Sequence, residues 1–160
     1  MRRAERLALG CAALLLSAQA QGAFFCNGAN VAMSLGTYDG FQPTSLDSSG
    51  VFTVSCFRLG GGATQPITVG IGPSSVSGGI ATRQLRLVAG ADLLTYNLYR
   101  DAGRTLVWGN TIGTNTVTQN LTVANLATNS TTFTIFGRIN ALQDVRAGTY
   151  NDSLTVTVTF

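Results

Sequence analysis

The sequence predicts an all-β fold, an antiparallel β-sandwich that is immunoglobulin-like in the broad sense. Three observations support this prediction. Apolar residues recur at every second position in short runs, as they do in strands with one buried face. Turn-forming residues, many of them glycines, separate these runs at short intervals. Beyond the first twenty of its 160 residues, the chain contains no segment with the apolar spacing of an amphipathic helix.

Six alternating runs lie in the middle of the chain, and each has its own apolar residues at spacing two. The sets are Phe52, Val54 and Cys56 in 50–57; Ile67, Val69 and Ile71 after Pro66; Leu85 and Leu87 in 83–88; Leu94, Tyr96 and Leu98 in 94–100; Leu121 and Val123 in 120–126; and Phe133 and Ile135 in 131–139. Turns are expected around them, for example at Asp39-Gly40, Gly60-Gly61-Gly62 and Ala102-Gly103.

The last run is the most regular, because Leu154, Val156, Val158 and Phe160 alternate with threonines. A strand this apolar fits the interior of a sheet, where a neighbour pairs along each edge. No further residues follow Phe160 in the sequence, so we expect one edge of this strand to stay open. The alternative is an ordinary edge strand that pairs with an earlier part of the chain.

The first twenty residues have the organisation of a secretory signal peptide. A basic start at residues 1–6 precedes an apolar stretch at 7–16, which is too short to span a membrane, and small residues follow up to Ala20. We expect cleavage after Ala20, with Gly22 as the alternative. Residues 21–160 then form one exported β domain that is long enough to bury a sizeable core.

The composition of residues 21–160 excludes several classes of function. Loss of the signal peptide removes three of the ten arginines and the one glutamate, which leaves seven arginines, six scattered aspartates and a net charge near +1. This balance indicates neither a nucleic-acid partner nor an acidic membrane surface. Because these residues include no histidine and no lysine, a histidine-centred triad, a Schiff-base lysine and a histidine metal site are excluded. We therefore expect no enzymatic activity, no metal and no cofactor.

Two cysteines, Cys26 and Cys56, remain in the exported domain, because Cys11 lies in the signal peptide. In an exported protein such a pair indicates one structural disulfide. The competing interpretation, a reactive thiol pair, lacks the C-x-x-C spacing and a nearby lysine or histidine. The disulfide would close a loop of about 30 residues, worth roughly 3–4 kcal/mol of stability.

One dense polar and aromatic cluster lies between residues 96 and 108. As an active site it would use Asp101 as a general base, with Arg100 or Arg104 stabilising an anion. A lone carboxylate without histidine or glutamate support is a poor catalyst, so we favour a structural interpretation. In that interpretation Tyr96 and Leu98 pack inward, Tyr99 and Arg100 lie on a solvated face, and Asp101 starts a turn.

Several motifs, in order along the chain, carry a resemblance to a known family. They are Cys26 with the segment 32–38 (A-M-S-L-G-T-Y), Cys56, Arg83 to Leu87 (R-Q-L-R-L), Tyr96, Leu98, Tyr99 and Asp101 within 94–101 (L-T-Y-N-L-Y-R-D), Trp108 with Gly109, and Gly148, Tyr150 and Asp152 within the closing segment 148–160. The sequence thereby resembles the spore coat U domain family, which includes subunits of archaic (Csu-type) chaperone–usher pili.

The resemblance implies an incomplete sandwich that lacks its final strand and is completed in trans. A periplasmic chaperone first fills the groove beside the last strand, and the extension of another pilin subunit then replaces it. Leu154, Val156, Val158 and Phe160 are expected to line this acceptor groove. An outer-membrane usher is the third kind of partner, and the destination is an adhesive surface fibre of the kind that supports biofilms. The alternative is a self-contained periplasmic binding domain whose own N-terminal segment completes the sheet.

The N-terminal segment departs from the pattern of such pilins. A donor extension needs about ten alternating residues ahead of the first cysteine. Residues 21–25 are too few and do not alternate. We therefore expect a subunit that accepts a strand but does not donate one, which fits the tip of a fibre better than a repeating position; an accessory subunit is the other possibility.

Overall fold

The structure, a computed structural model, describes residues 22–28 and 32–160. This part of the chain contains nine strands and no helix. The strands are β1 (Ala23–Gly28), β2 (Leu46–Leu59), β3 (Ala63–Ile71), β4 (Arg83–Leu87), β5 (Leu93–Tyr99), β6 (Val117–Val123), β7 (Ala127–Ile139), β8 (Tyr150–Asn151) and β9 (Val156–Thr159). The expected signal peptide, 1–20, lies outside the described residues.

The strands form two sheets in which every pair of neighbours is antiparallel. The larger sheet has the order β1-β2-β7-β5-β4-β8, and the smaller one has the order β6-β3-β9. The prediction of an immunoglobulin-like antiparallel sandwich is thus confirmed.

The core lies between the two sheets and consists mainly of alternating residues predicted to face inward, although Leu85 is only partly buried. The buried side chains include Phe52, Val54 and Cys56 of β2, Ile67, Val69 and Ile71 of β3, Leu94, Tyr96 and Leu98 of β5, Leu121 and Val123 of β6, and Phe133 and Ile135 of β7. Trp108 closes the centre of this core, where its indole Nε1 donates to the Val69 carbonyl at 3.0 Å.

The disulfide expected between Cys26 and Cys56 is present. The two cysteines lie directly opposite each other in the ladder between β1 and β2. Strand β1 therefore has a covalent link to the large sheet in addition to its backbone pairing.

Two differences from the sequence prediction concern segments rather than exact strand ends. Strand β1 has no counterpart among the predicted runs, because Phe24 and Phe25 are adjacent rather than alternating. In the structure Phe24 is half-buried under the Arg58 guanidinium, whereas Phe25 is 58% exposed. The second difference is Leu126, which lies in a turn with φ of 55° instead of ending a strand.

Candidate functional site

The last strand, β9, has a neighbour along one edge only in the part of the chain that the structure describes. It lies at the margin of the small sheet and pairs with β3. The Gly72 amide donates to the Thr155 carbonyl at 2.8 Å. Because hydrogen-bonded pairs alternate along an antiparallel ladder, the backbone N–H and C=O groups of Val156 and Val158 point away from β3. These groups form an uncovered edge.

Residues 33–38, called the wall segment below, form a second uncovered edge. Met33 and Leu35 pack on the inward face of the large sheet at two glycines that leave room for them: a Cβ at Gly50 would lie 3.3 Å from Met33 Cγ, and one at Gly137 would lie 2.5 Å from Leu35 Cδ2. No backbone group of the wall segment hydrogen-bonds to the backbone of another described residue. The segment is therefore held by its side chains.

A cavity of about 890 Å³ is lined by the wall segment and by the start of β9. Its lining includes five deeply buried aliphatic side chains, from both sheets: Ile71, Leu94, Leu98, Ile135 and Ile139. Leu154 and Val156 belong to its lining, and so do the residues of the wall segment. The cavity is in the size range of binding sites that enclose a ligand, and its floor suits apolar side chains.

The structure brings two of the four expected groove residues to this cavity. Leu154 and Val156 belong to its lining, whereas Val158 and Phe160 do not. Val158 is half-buried against the core, and a Cβ at Gly28 would lie 3.7 Å from its Cγ2. Phe160 is 46% exposed. The cavity is thus open beside the start of β9. It does not reach Val158, which lies close to Gly28 at the end of β1.

Asp152 anchors the residues that lead into β9. Its Oδ1 accepts hydrogen bonds from the Ser75 hydroxyl and the Ser153 amide, both at 2.8 Å, and from the Ser75 amide at 3.0 Å. Its Oδ2 accepts the Tyr96 hydroxyl at 2.8 Å. Burial raises the pKa of the Asp152 carboxyl, but the Ser74 and Ser75 side chains, the Tyr96 hydroxyl and the Ser153 amide together outweigh burial and hold this pKa below its usual value.

The same contact keeps Tyr96 protonated. Burial first, and then the hydrogen bond to the Asp152 carboxylate, raise the pKa of the Tyr96 hydroxyl far above its ordinary value. Tyr96 therefore acts as a hydrogen-bond donor across the whole range in which proteins are folded. Its ring lines the cavity, while its hydroxyl is already occupied by Asp152.

The remaining motif residues support the fold. The Gly109 amide donates to the Asn115 carbonyl, and its carbonyl accepts the Ile71 amide, each at 2.9 Å. A side chain at Gly148 would collide with Leu87. The Tyr150 hydroxyl donates to the Arg146 carbonyl at 2.7 Å.

The cluster between residues 96 and 108 is divided between core and turn. Asp101 accepts hydrogen bonds from the amide and hydroxyl of Thr105 and from the Leu106 amide, as a turn residue does. Tyr99 and Arg100 are half-buried rather than fully solvated. Tyr99 forms an antiparallel bridge with Val107, and the Arg100 guanidinium donates to the Thr116 carbonyl at 3.3 Å. The side chains of this cluster are thus used within the fold.

Two features of the site were not identified from the residues themselves. Within the motif at 32–38, Met33 and Leu35 have the spacing of two inward-facing strand residues. The wall segment nevertheless is not one of the described strands, so this alternation does not predict its place in the fold. Arg83 also belonged to a motif, yet nothing in its sequence context indicates that its side chain is fully buried.

The described residues contain no group of three or more cysteine, aspartate, glutamate or histidine side chains placed to hold a metal ion. In the same residues, no helix has the length and apolar character to cross a membrane.

Comparison with known proteins gives two kinds of similarity. Protein U of Myxococcus xanthus is 33% identical over 136 residues, which cover 80% of this chain and 71% of that protein. A chaperone–tip adhesion subunit complex of the archaic chaperone-usher Csu pili of Acinetobacter baumannii aligns with a TM-score of 0.48 and 17% identity, over 88% of this chain and 40% of that one. A chaperone–tip adhesin complex of CFA/I fimbriae biogenesis aligns with a TM-score of 0.40 and 12% identity, over 82% of this chain and 39% of that one.

The chain thus spans about two fifths of the length of the chains in those two structures. The model of the Spore Coat Protein U domain family matches residues 12–157, nearly the whole sequence. Together with the identity to Protein U, this match shows that the chain belongs to the Spore Coat Protein U domain family, whose members are structural proteins rather than enzymes.

Proposed function

We propose that the chain is an exported structural subunit of a chaperone–usher surface fibre or coat, and that it accepts a strand from another polypeptide beside β9. One observation carries this proposal: two backbone edges without a backbone partner among the described residues, the start of β9 at Val156 and the wall segment, line the same cavity, whose floor is aliphatic. A strand edge with unpaired N–H and C=O groups is a template on which another polypeptide can pair. An extended peptide between the two edges supplies partners to both.

The occupant of the cavity is a strand with apolar side chains at alternate positions. Its main chain pairs with Val156 and Val158, and its inward side chains rest on the aliphatic floor around Ile71 and Ile139. In the assembly that the family resemblance implies, a periplasmic chaperone supplies this strand first, and another subunit replaces it at the outer-membrane usher.

We extend the proposal to the position in the fibre. Strand β1 pairs with β2 along its whole length and carries the disulfide at Cys26, so residues 22–28 are used within this domain and do not form a donor strand. A subunit that accepts a strand without donating one belongs at the tip of a fibre, where its exposed surface serves adhesion.

Hydrogen exchange of the two outward amides tests the proposal. In the exported chain alone, the Val156 and Val158 amides should exchange rapidly. They should become protected when a synthetic peptide is added that is as long as residues 152–160, alternates valine with threonine and is flanked by lysines. A matched peptide with aspartate in place of valine should have no effect, because the cavity floor is aliphatic.

The opposite result separates the proposal from its alternative. If the isolated monomer already protects both amides and ignores the peptide, the domain completes its own sheet and is a self-contained binding module.

A further inference from the structure

Arg83 lies entirely inside the protein, with 0% of its surface exposed. Its Nη2 donates to the carbonyls of Trp108 at 2.8 Å, Gly72 at 2.9 Å and Ile71 at 3.0 Å. Its Nη1 donates to Asn97 Oδ1 at 2.8 Å, and its Nε also points to the Gly72 carbonyl. The planar guanidinium thereby joins three separate segments of the chain.

This charge has no ionic partner among the described residues, since none of the salt bridges there includes Arg83. The hydrogen bonds of this buried cation all go to carbonyl and amide oxygens, while the Asp152 carboxylate attracts it only from beyond contact distance. Such a buried charge is costly, and an apolar side chain of similar volume is often at least as stabilising. Packing alone therefore does not explain why an arginine occupies this position. The location of the oxygen atoms that accept its hydrogen bonds does.

Two of the acceptors, the last residue of β3 and the residue after it, lie where the small sheet holds the start of β9. Ile71 lies opposite Val156 in the ladder, and the Gly72 amide holds the Thr155 carbonyl at 2.8 Å. Arg83 itself belongs to β4, in the large sheet, whereas Ile71 ends β3 in the small one. The guanidinium therefore fixes the distance between the two sheets beside the cavity that Ile71 and Val156 line.

We propose that Arg83 is a positioning residue for the strand-accepting edge: by holding the Ile71 and Gly72 carbonyls, it keeps β9 in place and the cavity open while no strand fills it. The inference rests on the proposed function. Strand β9 has four residues and, within residues 22–28 and 32–160, one neighbour, so its own pairing is weak. An edge that is already held in position loses less conformational entropy when a strand binds. It therefore binds that strand more tightly.

The test compares Arg83→Met with Arg86→Met in the full exported chain. Arg86 lies on the same strand but is exposed and makes no side-chain hydrogen bond to a described residue. In Arg83→Met, the Gly72 and Thr157 amides, which face the β3–β9 ladder, should exchange at least tenfold faster, while amides in β2 and β7 keep their rates. Affinity for the valine–threonine peptide should fall at least tenfold. Arg86→Met should change neither quantity.

Three outcomes would overturn the inference: unchanged exchange at Gly72 and Thr157, exchange that rises equally throughout the sandwich, or an unchanged peptide affinity despite local loosening. If Arg83→Met does not fold, Arg83→Lys is measured in the same way, because lysine keeps the charge but cannot reach all four acceptors. If the wild-type chain does not bind the peptide, the proposed function is contradicted. The exchange rates of the Gly72 and Thr157 amides then still show whether Arg83 holds β9 in place.

Discussion

The Tyr96 hydroxyl donates a hydrogen bond of 2.8 Å to Asp152 Oδ2, and this contact joins the middle of β5 to the residue that leads into the uncovered strand β9. Asp152 also holds Ser75, in the connection that leaves the small sheet. The start of the terminal segment is therefore fixed to both sheets before β9 begins.

Removal of the tyrosine hydroxyl should weaken this anchor. In Tyr96→Phe, Asp152 loses one partner in a partly buried place, and the free energy of unfolding should fall by about 1–3 kcal/mol. Urea denaturation measures the change. Tyr99→Phe is the matched control, because the Tyr99 hydroxyl makes no hydrogen bond to a described residue, and this variant should unfold at nearly the wild-type urea concentration.

The stability should depend on pH through Asp152. Folding lowers the pKa of this carboxyl, because the polar groups of Ser74, Ser75, Tyr96 and Ser153 together outweigh the effect of burial. The carboxylate thus stabilises the fold above its unfolded pKa of about 3.9, and this contribution is lost as the pH falls through the lower folded pKa. We expect Asp152→Asn to be about 1–2 kcal/mol less stable at neutral pH and to approach the wild type in strong acid.

Urea denaturation at a series of pH values measures this convergence. A difference between Asp152→Asn and the wild type that stays constant from neutral pH to strong acid would contradict the role assigned to the carboxylate.

Proline substitution should distinguish the two edges of β9. The Val156 amide faces away from β3, so Val156→Pro removes a donor that only an added strand would use, and prolines are tolerated at such positions. We expect this variant to remain folded and to lose binding of the valine–threonine peptide, as calorimetry would show. Thr157→Pro removes an amide that faces β3 and should cost about 1–3 kcal/mol of stability. Equal peptide binding by Val156→Pro and the wild type would refute the pairing mode.

A methyl group at Gly137 should displace the wall segment. Its Cβ would lie 2.5 Å from Leu35 Cδ2, 2.8 Å from Ser48 Oγ and 2.9 Å from Met33 Cε. Such overpacking is expected to lower the free energy of unfolding by about 1–3 kcal/mol. Because the wall segment moves, peptide binding should weaken as well. In Gly79→Ala the new Cβ meets its nearest neighbour at 3.5 Å, an ordinary contact, so this control should change stability by less than about 0.5 kcal/mol. Thermal unfolding of both variants measures the difference.

The sequence allowed the central strands to be predicted because their inward residues alternate without interruption. Phe52 with Val54 and Phe133 with Ile135 fall on the inner faces as expected. Strand β1 could not be predicted in this way, since its place in the sheet depends on pairing with β2 and on the disulfide rather than on an alternating pattern.

The candidate site was predictable on one side only. Regular alternation identified Leu154 and Val156, which line the cavity. The opposite wall depends on two glycines, Gly50 and Gly137, that are close to Met33 only in the folded chain. Contacts between residues so far apart in sequence leave no periodic pattern, and the same is true of the carbonyl oxygens that surround Arg83.

The crossing of the terminal segment between sheets has a mechanical consequence. Strand β8 pairs with β4 in the large sheet, and only a few residues later β9 pairs with β3 in the small one. Tension applied to a strand seated beside β9 would load the β3–β9 hydrogen bonds in shear. At Asp152 the same force would pass to Tyr96 and the large sheet. One short stretch of chain would then distribute a pulling force over the whole sandwich, instead of peeling away a single strand.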